Sequence, residues 1–285
     1  MSSNLNSVLM IRPSSFRRNS ETATNNYFQN EILNLNNDSI LKKATLEFDK
    51  LVLKIEGCGI KVFVFQDDLT YDTPDSIYPN NWITFHTNKR IALYPMFAKN
   101  RRHERNEKVL EFLEKNKIYI NDLVDYSSAE KKEMFLEGTG SMVFDRINKK
   151  AYCSLSERTN EDLIFEFCND FEYMPIIFNA FQDHEKIRKP IYHTNVMMCL
   201  ASDYVVICLD SIDNKNHKKL VINSIKKSGK ELVEINESQV ENFAGNMLEL
   251  INDKGESILV MSSSAEDSLN ENQKNIIKKY SRIVS

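Results

Sequence analysis

Short alternating apolar–polar runs and longer stretches with apolar residues at helical spacing follow one another along the chain in a recurring order. Residues 141–147 alternate as a strand, Asn148-Lys149-Lys150 is a polar turn, and 151–155 reads as a second strand. A helix over 161–171 and a short strand over 173–178 close that unit. The order returns after His193, where 196–201 and 204–210 predict a hairpin, 215–228 a helix and 231–235 a strand. It returns again near Gly245. There 247–251 and 257–261 flank Asn252-Asp253-Lys254-Gly255-Glu256, a turn in which glycine supplies the positive φ. Ser268 or Asn270 then caps a helix over 271–280. Upstream, 82–86 and 90–94 pair across Thr87-Asn88-Lys89, and 102–116 reads as a strongly charged helix. The first unit runs from a strand over 7–12 through a long helical region over 26–57 to a strand over 61–66.

Strand, strand, helix, strand thus recurs about five times at a spacing on the order of 50 residues, the period range of propellers and arrays. Doubly wound sheets also alternate strands and helices. The hairpin that opens each unit favours an α/β fold of five repeating blades, a five-bladed αβ propeller. The last unit supplies two strands and a helix, and then Arg282-Ile283-Val284 begins a strand where the sequence stops. The fifth unit is therefore expected to be incomplete, with 1–285 forming a single domain that lacks its closing strand.

Composition narrows the function classes. With 41% hydrophobic and 27% charged residues, the chain can fill a sizeable core and is not a disordered sequence. Seven glycines and six prolines leave no obvious linker. A net charge of −4, from 37 basic and 41 acidic residues, argues against a nucleic-acid partner. No apolar run approaches the roughly 18 residues of a membrane-spanning helix. The N-terminus has one short apolar run, residues 8–11, without the basic region and long apolar region of a signal peptide. No membrane partner and a cytoplasmic location are expected. The five cysteines are odd in number and include no C-x-x-C, so they are expected to be reduced thiols, mostly in the core. His86, His103, His184 and His217 show no metal-ligand spacing.

Several strings carry candidate chemistry. They are Pro74-Asp75-Ser76-Ile77-Tyr78-Pro79-Asn80-Asn81-Trp82, Leu136-Glu137-Gly138-Thr139-Gly140, Leu155-Ser156-Glu157-Arg158-Thr159-Asn160 and His193-Thr194-Asn195-Val196, preceded by Arg12-Pro13 and Glu21-Thr22-Ala23-Thr24-Asn25-Asn26. Each has an ordinary structural reading. Asp75 suits a turn after Pro74, Asn160 a helix cap, His193 a polar strand start, and Arg101 and Arg102 the solvated face of a charged helix. In this order, across nearly the whole chain, the strings resemble those of the penteins, the guanidine-modifying fold of arginine deiminases, dimethylarginine hydrolases and amidinotransferases. The third string is similar to the L-S-x-R-T-N of dimethylarginine hydrolases. The opening segment resembles the amidinotransferase-related branch, some members of which act on citrulline or arginine.

The resemblance implies a small-molecule substrate, a guanidino or ureido amino acid, and a hydrolase or amidinotransferase that needs no metal or organic cofactor. It is compatible with a homo-oligomer. The chemistry wants these residue types. Carboxylates grip the N–H edge of a planar cation, a thiolate adds to its carbon, and a histidine protonates the leaving amine and later activates water. By resemblance, His193 is the general acid and base. Glu137 grips the guanidinium and supports His193, and Asp75 is the second acid. Arg158 binds the substrate carboxylate. All four are expected to face one central cavity. Asn81 stands where dimethylarginine hydrolases place another acid, and Asn195 where arginine deiminases carry an aspartate. Neither amide supplies charge, which leans away from a deiminase.

In penteins the nucleophilic cysteine lies near the C-terminus, on the closing strand of the fifth unit. None of Cys58, Cys153, Cys168, Cys199 and Cys208 has that place. Two readings stay open: a shortened form of an ordinary enzyme, or a pseudoenzyme that keeps a ligand pocket as a binding or interaction protein. An unpaired strand edge is a liability that natural proteins cover, which favours the first. Residues 1–285 alone are expected to be inactive.

Overall fold

The computed structural model describes residues 7–29 and 36–285, which divide into two compact units, residues 7–138 and Thr139–Ser285. In the N-terminal unit, β1 (Ser7–Arg12) and α1 (Asn37–Glu56) lead to β2 (Lys61–Gln66). The two strands pair in parallel, with Ser7 opposite Lys61 and Arg12 opposite Gln66. The side chain of Asn36 accepts the Ser39 N–H and starts α1 there. The helix is therefore shorter than the expected 26–57. Residues 26–29 form turns, in which Asn26 accepts the Phe28 N–H, and 30–35 lie outside the described residues.

The second sheet comprises β3 (Ile83–Phe85), β4 (Arg90–Leu93) and β5 (Asp122–Asp125). β3 and β4 are antiparallel, and β4 and β5 are parallel. The turn between β3 and β4 contains no glycine and places Asn88 and Lys89 at φ 60 and 58. The charged helix expected over 102–116 is broken into two. A 3-10 turn, Asn100–Glu104, precedes α2 (Glu107–Lys115), which begins where Asn106 accepts the Lys108 N–H. Val109 and Leu113 of α2 pack with Ile11, Trp82, Ile83, Ile91 and Met96 in one core cluster.

The C-terminal unit begins at Thr139, within the short turn α3 (Gly138–Ser141). Its first sheet is β6 (Met142–Asp145), β7 (Lys150–Ser154) and, after α4 (Glu161–Phe171), β8 (Met174–Phe178). A hairpin absent from the sequence expectation follows, β9 (Phe181–His184) and β10 (Ile187–Pro190). It turns on Glu185 and Lys186 at φ 52 and 65, positions that reveal no glycine signal to a sequence reading. The next sheet is β11 (Met198–Leu200), β12 (Tyr204–Ile207) and, after α5 (Lys215–Lys227), β13 (Glu231–Glu234). After α6 (Glu237–Glu241) comes the last sheet. It has β14 (Leu248–Ile251), β15 (Ser257–Val260) and, beyond α7 (Ser263–Ser268) and α8 (Glu271–Lys278), β16 (Arg282–Val284). Asn270, not Ser268, caps α8, in a capping box with Gln273.

All four three-stranded sheets share one plan: an antiparallel pair, then a helical crossover to a parallel third strand. This corrects two expectations. The last sheet is not short of a strand. Arg282, Ile283 and Val284 pair in register with Ile258, Leu259 and Val260, and the Met261 N–H donates to the Val284 carbonyl. Besides the β9–β10 hairpin, the first sheet is also two-stranded: β1 and β2 are parallel, and among the described residues no hairpin opens the unit. Among the described residues, no helix is long and apolar enough to cross a membrane.

Candidate active site

In the N-terminal unit, Asp75, Asn81 and Glu137 gather around a side chain that the sequence pattern left on a solvated face. Arg101 is 2% exposed. Its Nε and Nη2 donate to the two carboxylate oxygens of Glu104, at 2.8 and 2.9 Å, in a bidentate pair. Its Nη1 donates to Asn81 Oδ1 at 2.8 Å, and Nη2 to the Tyr78 carbonyl at 3.3 Å. Asp75 Oδ2 lies 3.9 Å from Nε, and Glu137 Oε2 lies 3.8 Å from Nη1. Three buried carboxylates therefore surround one guanidinium.

Local structure explains how each arrives. Asp75 follows Pro74 in a turn closed by the Tyr78 N–H on its own carbonyl, and a 3-10 turn, Pro79–Asn81, delivers Asn81. Asp75 Oδ2 accepts from Asn19 Nδ2 at 2.8 Å and from Thr22 Oγ1 at 2.9 Å. Asn19 is held in turn by a reciprocal amide pair with Asn100, at 2.8 and 3.2 Å. Glu137 is fully buried, and its Oε1 accepts the Phe97 N–H at 3.0 Å. Gly138, at φ 44, lets that residue sit against the Asn80–Asn81 backbone. A Cβ there would stand 2.2 Å from the Asn80 carbonyl oxygen.

Burial works against the charges of Glu104 and Arg101. It pushes the Glu104 carboxyl up to about 7, with Asp75 and Glu137 adding to the rise while Arg101 opposes it. Burial also disfavours the Arg101 cation, but Glu104, Asp75 and Glu137 outweigh that and hold its pKa above the ordinary value. Beside Glu104 lies a cavity of about 20 Å³, lined by Asp67, Thr73, Ser76 and His103 among others, room for about one water. Arg102 takes a different role from Arg101. It is partly exposed, donates to the Met96 and Phe97 carbonyls at 3.1 and 3.4 Å, and lies 3.5 Å from Glu130.

In the C-terminal unit, Arg158 and His193 meet the same aromatic ring. The Arg158 guanidinium carbon stands 4.8 Å from the centre of the Tyr192 ring, and the His193 imidazole lies 4.7 Å from it at a tilt of 43°. Arg158 is 2% and His193 4% exposed. Ser156 Oγ donates to the Tyr192 carbonyl at 2.8 Å and accepts the Arg158 N–H at 3.1 Å, so the tight turn 156–159 and the Tyr192 backbone are joined. Ser141 Oγ donates to the Arg158 carbonyl at 2.7 Å, and Thr194 Oγ1 to the Ser141 carbonyl at 2.6 Å. Asn160 caps α4 by accepting the Leu163 N–H, as its structural reading expects. Asn195 is half-buried, and its carbonyl accepts from Asn246 Nδ2 at 3.0 Å.

Sequence reasoning missed Arg101, Glu104 and Tyr192. The i,i+3 spacing of Arg101 and Glu104 signals a local pair but not its burial. Tyr192 directly precedes a candidate histidine and could have been weighed for that reason. The five cysteines are all buried. Burial pushes the Cys168 and Cys199 thiols up to about 12 and raises those of Cys153 and Cys208, the reverse of what a nucleophile needs.

Four sheets of an antiparallel pair with a parallel third strand, together with the family match that follows, place the chain among the penteins. The sequence pattern of the family described as N,N dimethylarginine dimethylhydrolase, eukaryotic, matches residues 12–285, and the chain belongs to that family. Among solved structures it is similar to the N-terminal domain of ArgZ, a cyanobacterial arginine dihydrolase of the ornithine-ammonia cycle, in a cysteine-to-serine mutant bound to substrate. The identity is 17% and the TM-score 0.72, over 98% of this chain and 90% of that one. A mutant of AgrE in binary complex with L-arginine is 15% identical with a TM-score of 0.72, over 98% of this chain and 37% of that one. The dimethylarginine hydrolase of Pseudomonas aeruginosa, in complex with citrulline, is 11% identical with a TM-score of 0.62, over 99% of this chain and 91% of that one. No curated protein sequence matches the chain.

Proposed function

We propose that the chain is the substrate-binding and acid–base scaffold of a C–N hydrolase acting on the terminal guanidino or ureido group of an arginine-like or citrulline-like amino acid. The observation that carries this is the convergence of Asp75, Asn81 and Glu137, up to 62 positions apart in sequence, on a buried guanidinium (137 − 75 = 62). A cluster that already holds one such group has the acceptors and planar spacing that an arginine-like group requires. The structural relatives support the substrate class, because ArgZ is an arginine dihydrolase, AgrE has been seen with L-arginine, and the Pseudomonas enzyme with citrulline.

In this reading Glu137 and Asp75 orient the group to be cleaved, and Arg158 pairs with the α-carboxylate. A thiolate adds to the carbon of the guanidino or ureido group. The amine leaves with a proton from His193, and His193 then takes a proton from the water that adds to the carbon, after which the intermediate collapses to release the product and restore the thiolate. The thiolate is not supplied by any of the five cysteines present. The proposal includes one domain of five repeating units, as the propeller expectation has it.

The test is calorimetric titration of residues 1–285 with L-arginine, L-citrulline and agmatine. It is paired with an assay for ornithine, citrulline and ammonia release, run beside a version extended by a segment carrying a cysteine. Binding without turnover is expected from the 285 residues, and turnover from the extended version. Turnover by the 285 residues that disappears with Cys199→Ser or Cys208→Ser would refute the placement of the nucleophile. Failure to bind any of the three ligands would refute the substrate class.

A further inference from the structure

Arg101 sits at the centre of the acid cluster, yet no step proposed above uses it. A guanidinium offers five N–H donors and no acceptor. The Asn81 amide atom standing 2.8 Å from Nη1 is therefore its oxygen, and the amide nitrogen is turned the other way. That nitrogen makes no hydrogen bond among the described residues. Glu104 fixes the guanidinium plane through two bonds, and the Tyr78 carbonyl adds a third contact, so the orientation imposed on Asn81 is itself rigidly held.

We propose that Arg101 is a positioning residue that sets ligand preference, by pinning the Asn81 amide so that this position presents N–H donors and no acceptor. The inference rests on the reading that Asn81 faces the ligand. A ureido group carries a carbonyl oxygen, which an N–H can serve; a guanidinium carries donors only and finds no partner there. The same side chain offsets part of the negative charge of Asp75, Glu104 and Glu137, which weakens the pull of the cluster on a second cation. Both effects act in one direction, in favour of the neutral ligand.

The first test needs no variant. The Asn81 side-chain amide resonances are followed while the 285-residue protein is titrated with L-citrulline and with L-arginine. A shift specific to citrulline is expected. Equal shifts with both ligands, or none while other resonances report citrulline bound, would overturn the inference. The second test is Arg101→Lys, which keeps the charge and removes the planar fork. The ratio of citrulline to arginine affinity should fall about tenfold, the scale of one well-made hydrogen bond. A purely structural role would weaken both ligands alike, so an unchanged ratio counts against the proposal. Asn81→Asp serves if Arg101→Lys does not fold. It keeps an acceptor for Arg101, removes the donor, and should turn the preference toward arginine; an unaltered preference would overturn the idea. Binding of neither ligand by the wild type would overturn the proposed function and this inference together, whereas binding with an unmoved ratio overturns this inference alone.

Discussion

Asp75, Asn81 and Glu137 in the N-terminal unit gather around a buried charge, and Arg158 and His193 in the C-terminal unit share an aromatic ring. In the first region one guanidinium makes a bidentate pair with one carboxylate and lies 3.8 and 3.9 Å from two others, all away from solvent. In the second, an aromatic ring and a chain of serine and threonine hydroxyls fix the backbone and side-chain positions. The difference matters because removing one member of a buried ionic cluster strands the rest, while removing one hydroxyl or ring costs little more than its own contacts. The acid cluster should therefore be brittle, and sensitive to pH through Glu104.

The sharpest way to break that contrast is Arg101→Met. It leaves Glu104, Asp75 and Glu137 buried without a cation and should lower unfolding stability by about 3–5 kcal/mol, measured by urea titration at neutral pH. A loss below about 1 kcal/mol would show that the carboxylates find other partners or protonate at little cost. Arg158→Ala tests the other region by binding. Affinity for L-arginine or L-citrulline should weaken by roughly 2–5 kcal/mol if the pair with the α-carboxylate is desolvated. Agmatine, which has no carboxylate, should be hardly affected, and an equal loss for agmatine would remove Arg158 from the carboxylate role.

The pH dependence of stability tests the acid cluster next. Glu104 is raised to about 7 by burial, with Asp75 and Glu137 adding to the rise, and it is faced by Arg101 and bordered by Asp67 and His103 across the small cavity. An acid whose folded pKa lies above its unfolded value binds more protons when folded between those two values. Its stabilisation is thus complete below the unfolded glutamate range and is lost as pH rises through about 7. Wild-type stability should fall over that window more steeply than that of Glu104→Gln, by at most about 1.4 kcal/mol per pH unit, the slope of one proton. Parallel curves for the two proteins would show that Glu104 stays ionised throughout.

The smallest effect belongs to Tyr192. Tyr192→Leu removes the ring from Arg158 and His193 and should cost ligand binding about 0.5–1 kcal/mol, while Tyr192→Phe keeps the ring and should restore it. Equal losses for Leu and Phe would assign the effect to the hydroxyl instead.

Much of the fold was legible because its signals are local. The strand edges at Ser7–Arg12 and Lys61–Gln66 and the helix Glu161–Phe171 match the pattern reading closely, since alternation, helical spacing and an Asn160 cap are written in neighbouring residues. The misses have a common cause. The β9–β10 hairpin turns on Glu185 and Lys186 in left-handed conformations that those residue types do not advertise. The 3-10 turn Asn100–Glu104 interrupts a helical pattern because Asn106 starts a new helix.

The sequence by itself determined the repeating order of strands and helices, the motifs that carry the family likeness, and the candidate residues Asp75, Asn81, Glu137, Arg158 and His193. It did so because periodicity, caps and short motifs are properties of adjacent positions. Only the tertiary structure decided which face of the Arg101 turn is buried, which carboxylates share its charge, and which end of the Asn81 amide is left over. Those outcomes depend on groups 20 to 36 positions away being brought within about 4 Å in a region that excludes water (101 − 81 = 20; 137 − 101 = 36). No pattern of neighbouring residues encodes that approach.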